Sequence, residues 1–235
     1  AVGALLGALL AYLVLHLKTD ATLAGVAINV IGSNATVFLM YVWTGSPGTS
    51  ASQKSYVLPT VSIPVIRDIP VVGTVFSGQN VVTYMAFALV AALAFFLYRT
   101  PLGLRIRGVG LNPGAADSVG INVVGVKYLA YVLSGVLAAM GGAFMSMGYV
   151  SWFARDMTAG RGFIALAAQA MGRSTPVGSM LSSIFFGFTM ALSNSMQSLS
   201  IPFELIEAMP YACTILALSA YAYQQTRKKK QSSGG

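Results

Sequence analysis

Two long stretches of the chain carry no charge at all: VVTYMAFALVAALAFFLY (81–98) and YLAYVLSGVLAAMGGAFM (128–145). The hydrocarbon core of a bilayer is about 30 Å thick, and a helix rises about 1.5 Å per residue, so roughly 20 apolar residues span it. Both stretches approach that length. Composition agrees: 56% of residues are hydrophobic and only 9% charged, with a mean hydropathy of +0.73. A soluble domain carries about 25% charged residues, so this chain has too few for a water-facing surface. The expected fold is all-α, a polytopic transmembrane helix bundle forming a single domain over 1–235 with about six or seven membrane segments.

The remaining spans follow the same reasoning. Residues 1–17 and 22–44 read as spans, the first closed by Lys18 and Asp20, the second by Trp43, an interfacial residue type. Residues 45–79 contain Pro47, Pro59, Pro64 and Pro70 and are too broken to cross as a helix. FIALAAQAMG (163–172) is apolar but short, which suggests a short or re-entrant helix buried in protein. Residues 177–197 and 211–223 give two more spans, joined by the turn-rich 198–210, and RKKK (227–230) follows.

The net charge of +8 lies at the ends of apolar runs. That distribution marks membrane topology and argues against nucleic acid as a partner. Lys18, Arg99, Arg105, Arg107, Lys127, Arg173 and Arg227–Lys230 fall on one side when 99–127 is cytoplasmic. The 45–79 loop is then extracytoplasmic and the C-terminus cytoplasmic. This parity holds only if 163–172 crosses the membrane.

Small residues recur every fourth position in three spans: Gly3, Gly7 and Ala11; Ser134, Ala138, Gly142 and Ser146; Ser179, Ser183, Gly187, Ala191 and Ser195. Such a line lets helices approach closely. The chemistry is otherwise sparse. The chain has no G-x-x-x-x-G-K-[ST] phosphate cradle. A lone His16 and a lone Cys213 give neither a catalytic set nor a metal cluster. No acid sits in the middle of a span, which counts against an ion-coupled carrier and an intramembrane enzyme. The polar groups within spans are amides: Asn29, Asn34, Gln169, Asn194 and Gln197. A buried amide holds helices together or binds a polar solute, and Phe144, Phe163 and Tyr131 either stack on a flat ligand or pack. Asn29, Asn34, Phe144, Phe163 and Gln169 are the candidate substrate-path residues.

Between the two charge-free runs lies RIRGVGLNPGAADSVGINV (105–123). Pro101, Gly103, Gly108 and Gly110 are expected to break the chain here, and Asn112-Pro113 to start a short helix ended by Gly120. By itself, this is a linker or a docking element.

RGVGLNPGAADSVGINVVGVKY (107–128) with SGVLAAMGGAF (134–144) resembles the cytoplasmic loop and following helix of permease subunits of bacterial ABC importers, specifically the branched-chain amino acid, simple sugar and nucleoside permease family. GRGFIALAAQAMGRSTPVGSMLSSIFFGF (160–188) is similar to a second signature of that family, and IPFELIEAMPYACTILAL (201–218) resembles the end of its nucleoside branch, the purine-nucleoside permeases. The long 45–79 segment departs from the family pattern. The resemblance implies a type II importer-like permease whose N-terminal helices are missing from this chain. It also implies no enzyme activity here: ATP and Mg would sit on a separate ATPase subunit, with a second permease subunit and a substrate-binding lipoprotein as further partners. Arg105, Arg107, Gly108, Gly110, Asn112, Pro113, Ala115, Ala116 and Gly120 would form the ATPase-coupling loop, with the arginines meeting acidic ATPase surface or lipid headgroups. The expected location is the bacterial cytoplasmic membrane, and the expected solute a nucleoside. A simple sugar, a branched-chain amino acid, a flavin, or ion-coupled carriage of a solute are the alternatives.

Overall fold

The computed structural model describes residues 1–45, 48–51, 57–61 and 78–196, with residues 215 and 219. The expected final span, the 198–210 connection, Gln197 and the RKKK cluster lie outside these, as does most of 45–79. In chain order the elements are α1 (Val2–Leu15), α2 (Ala21–Thr44), β1 (Thr60–Val61), β2 (Gln79–Asn80), α3 (Val81–Arg99), α4 (Pro101–Leu111), α5 (Pro113–Ser118), α6 (Val123–Phe144) continued by a π-helical turn (Met145–Tyr149), α7 (Arg161–Met171) and α8 (Pro176–Met196).

Side-chain caps set several of these boundaries. Asp20 accepts from the N–H groups of Thr22 and Leu23, at 2.8 and 3.1 Å, and starts α2. Gly45 ends it in the left-handed region, φ 69°. Asn80 Oδ1 accepts from Val82 N–H at 3.1 Å and starts α3. Asn122 Oδ1 accepts from Gly125 N–H at 2.9 Å, so α6 begins five residues before the charge-free run at 128. Hydropathy marks where a helix enters apolar surroundings, whereas the cap marks where the helix itself begins.

Among the described residues, four helices are long and apolar enough to cross a membrane: Ala21–Thr44, Val81–Arg99, Val123–Tyr149 and Pro176–Ser195. The chain is a multi-pass, all-α membrane protein. The apolar α1 is shorter, at 14 residues, and α7 has 11, about 16 Å of helix.

The chain divides into two compact units, 1–89 with 95–159, and 90–94 with 160–235. In the first, α1 runs antiparallel to α6. Gly3, Gly7 and Ala11 are all buried, so the small-residue line of α1 is a packing seam. A Cβ on Gly3 would overlap the Gly135 carbonyl and Ala139, and one on Gly7 would overlap the Tyr131 carbonyl. On α6 the seam is therefore Tyr131–Gly135–Ala139. Of the expected line, Ser134, Ala138 and Gly142 are exposed and Ser146 is half-buried. The reason is local: Ser134-Gly135 and Ala138-Ala139 place two small lines side by side, and a period of four does not choose between them. At the other end of the pair, the exposed His16 has its ring 5.3 Å from that of Tyr12 and 5.7 Å from that of Tyr128.

The described parts of 45–79 are stitched to the end of α6. β1 and β2 pair antiparallel, Thr60 opposite Asn80. Leu58 N–H donates to the Met147 carbonyl inside the π turn at 3.1 Å. Ser50 N–H donates to Phe153 O, Phe153 N–H to Ser50 Oγ, each at 2.9 Å, and Arg155 N–H to Gly48 O at 3.0 Å. Thus 48–51 and 57–61 lie beside 145–155.

In the second unit α7 packs against α8. Gly172 and Gly178 meet so closely that neither accommodates a Cβ. Thr175 fixes the turn: its hydroxyl donates to Gly172 O at 2.8 Å and accepts from Gly178 N–H at 3.2 Å. The buried line on α8 is Ser182, Phe186, Thr189 and Ser193. Of the expected line, Ser179 is half-buried and lies against Gly172, whereas Ser183, Gly187, Ala191 and Ser195 are exposed. The bulk of Phe186 hid the buried face from a small-residue pattern.

Candidate functional site

The segment between α3 and α6 is a built corner of two helices. Thr100 closes α3 and opens α4: its hydroxyl donates to Phe96 O at 2.7 Å and accepts from Gly103 N–H at 3.1 Å. Pro101 occupies the first turn of α4, where its missing N–H costs nothing. Gly103 is buried against the backbone of Phe96 and Leu97, and no side chain fits there. Gly108 and Gly110, expected to turn the chain, instead lie within helical α4. Isolated glycines weaken a helix by only about 1 kcal/mol each, and the cap, Pro101, the packing of α4 on α5 and α6, and the burial of Val109 outweigh them. A Cβ at Gly108 or Gly110 would meet nothing within 4 Å.

The expected short helix is present. Asn112 Oδ1 accepts from Ala115 N–H at 3.1 Å, Pro113 follows in the first turn, and α5 runs to Ser118. Gly120, at φ 79°, turns the chain, and Ile121 N–H returns to Ala116 O at 3.1 Å. Ala115 and Ala116 have opposite fates: Ala115 is exposed, while Ala116 is buried in its own chain. Leu111 and Val119 flank α5 and are 86% and 73% exposed. Sequence reasoning passed over both, although they are the apolar residues on either side of the capped helix. The two arginines differ as well. Both are exposed, but the Arg107 guanidinium lies 4.7 Å from the centroid of the Tyr98 ring.

The candidate substrate-path residues are divided between the two units. Asn29 and Asn34 lie on α2, both exposed, about 140° apart at 100° per residue. The Asn34 amide donates to Val30 O of its own helix at 2.8 Å. Phe144 ends α6, its ring against Gly148. Phe163 and Gln169 belong to the second unit, and Gln169 donates to Ser174 Oγ at 3.4 Å. Tyr131 gives its backbone to the α1 seam. Asn80, which no pattern singled out, is buried, with its amide nitrogen beside Gly148 in the π turn. Among the described residues no three His, Cys, Asp or Glu side chains form a metal-binding group.

The model of the family described as branched-chain amino acid transport system, permease component, matches residues 1–218. The guanosine ABC transporter permease protein NupQ of Bacillus subtilis (strain 168) is 36% identical over 226 residues, 94% of this chain and 70% of the relative. The nucleoside ABC transporter permease protein NupC of Lactococcus lactis subsp. cremoris (strain MG1363) is 33% identical over 225 residues, again 94% and 70%. A second nucleoside ABC transporter permease protein of that strain, NupB, is 28% identical over 137 residues, 58% of this chain and 38% of the relative. No solved structure matches the chain.

Proposed function

Because the chain belongs to the family of branched-chain amino acid transport system permease components, we propose that it is the translocating subunit of an ATP-driven importer for nucleosides, purine nucleosides foremost, in the plasma membrane. The observation that carries the coupling part of this reading is α5: a short helix capped by Asn112, standing between two spans, with Ala115 outward and Leu111 and Val119 exposed on its flanks. Exposed apolar residues beside a small helical face suit insertion into a groove of another protein. The occupant of that role is a separate ATPase subunit, which binds ATP and Mg. Closure of the ATPase pushes α5 and biases the permease between two states. Arg105 is free to meet acidic ATPase surface or lipid headgroups.

The names of the nucleoside relatives support the choice of solute. Two different permease chains of one Lactococcus strain resemble this one, which favours a pair of unlike permease subunits. The 99–127 segment and the C-terminus are cytoplasmic, and the 45–79 segment receives a substrate-binding lipoprotein outside. Asn29, Asn34, Phe144, Phe163 and Gln169 remain the candidates for the solute path.

The test is uptake of labelled guanosine into vesicles holding the complete transporter, with and without internal ATP. ATP-dependent accumulation is expected. Uptake of a different solute under ATP would discard the nucleoside, and uptake driven by an ion gradient without ATP would discard the importer. Within the complex, Ala115→Trp should abolish coupled uptake, because the outward position leaves the fold of α5 intact.

A further inference from the structure

The corner between α3 and α4 holds a contact that the docking role of α5 does not use. Tyr98 lies in the last turn of α3 and Arg107 near the end of α4, and the guanidinium sits 4.7 Å from the ring centroid. An arginine over an aromatic face is held by the ring quadrupole. The same two helices are joined by the Thr100 hydroxyl, bonded to Phe96 O and Gly103 N–H, and by Gly103 seated against Phe96 and Leu97. These two ties lie at the corner itself. Arg107 lies one helical turn farther out, where it resists splaying of α4 away from α3. α4 in turn packs against α5 and α6. A force applied at α5 therefore has a stiff route to α3, a membrane-length helix.

We propose that Arg107 and Tyr98 form a latch that makes α4 and α3 move as one body, so that displacement of α5 by the ATPase subunit reaches the membrane-spanning part of the permease. Both are positioning residues and touch neither nucleotide nor solute. The inference rests on the proposed docking of α5 and assigns Arg107 a role inside its own chain, with Arg105 left to the partner.

The experiment uses the complete transporter in vesicles. It measures affinity for the ATPase subunit, ATP hydrolysis, and guanosine taken up per ATP consumed. Tyr98→Leu and Arg107→Gln should each lower uptake per ATP about two- to fivefold, the size of one cation–π contact near water, with ATPase affinity unchanged. Tyr98→Phe keeps the ring face and Arg107→Lys keeps the cation, so both should stay near the parent value. The double variant Tyr98→Leu with Arg107→Gln should be no worse than either single change. Loss of ATPase affinity in Arg107→Gln with a silent Tyr98→Leu would overturn the latch and make Arg107 a partner contact. Additive effects in the double variant would overturn it too. Failure of the underlying reading looks different: the unaltered permease would then not bind the ATPase subunit, or Ala115→Trp would leave coupling intact.

Discussion

The two ends of α6 are built by different means. At its beginning, the 99–127 corner is held by side chains that act on their own neighbours: Thr100 on Gly103, Asn112 on Ala115, Asn122 on Gly125, each three residues away. At its far end, the π turn and the irregular 150–155 stretch are held by partners from far along the chain, Leu58 on Met147 and Ser50 on Phe153, the latter pair 103 residues apart. Local caps make an element that keeps its shape when pushed. Distant pairing makes one whose shape depends on another segment staying in place. The first suits a lever and the second a seat.

The comparison breaks most readily at Gly103. Gly103→Val would drive a side chain into the Phe96–Leu97 backbone, and overpacking of this kind costs about 1–3 kcal/mol or more. A marked fall in melting temperature in detergent is expected, while Gly108→Ala, with open space around it, should leave melting unchanged or raise it slightly. Equal effects at the two glycines would mean that the corner is not held by close approach. Next in size is Asn112→Ala, which removes a cap worth about 1 kcal/mol. Uptake per ATP should fall while the bundle melts almost as before, and Asn112→Asp should restore it. Comparable to that is Ser50→Ala, which strips the acceptor from Phe153 N–H at the far end and costs about 1 kcal/mol. Hydrogen exchange at Phe153 should quicken, with uptake per ATP untouched. A coupling defect in Ser50→Ala would erase the division between lever and seat.

The smallest effect concerns Asp20. The Leu23 and then the Thr22 backbone N–H groups hold its carboxyl below the usual carboxylate range. The cap is fully present above that usual range and is lost as pH falls through the lowered folded value. Protection of the Thr22 and Leu23 amides, relative to their intrinsic exchange rate, should therefore fall only at acidic pH, and Asp20→Asn should flatten that dependence.

The spans were legible because hydropathy is a bulk property, and α2, α3 and α8 begin and end within a few residues of the expected limits. The short helix α5 was legible from Asn112-Pro113 and Gly120, since capping chemistry is local. Helical α4 was not, because four residues that punctuate chains, Pro101, Gly103, Gly108 and Gly110, crowd into it, and only tertiary packing shows which of them matters. The seam on α6 lay one residue from the expected line, and the buried line on α8 one or two residues from it. On α6 this followed from doubled small residues, and on α8 from a large buried Phe186. The latch was invisible for a related reason: Tyr98 and Arg107 are nine positions apart across a corner that the glycines seemed to disorder.

The most direct measurement of the central claim is crosslinking from Ala115→Cys, in a chain whose Cys213 has been replaced by serine, within the assembled transporter. The account predicts that the new thiol is reached from the cytoplasmic side and joins the ATPase subunit, while Ala116→Cys, buried beside it, reacts far more slowly. A thiol at 115 that is reached from the outer side, or that joins no ATPase subunit while transport proceeds, would contradict it.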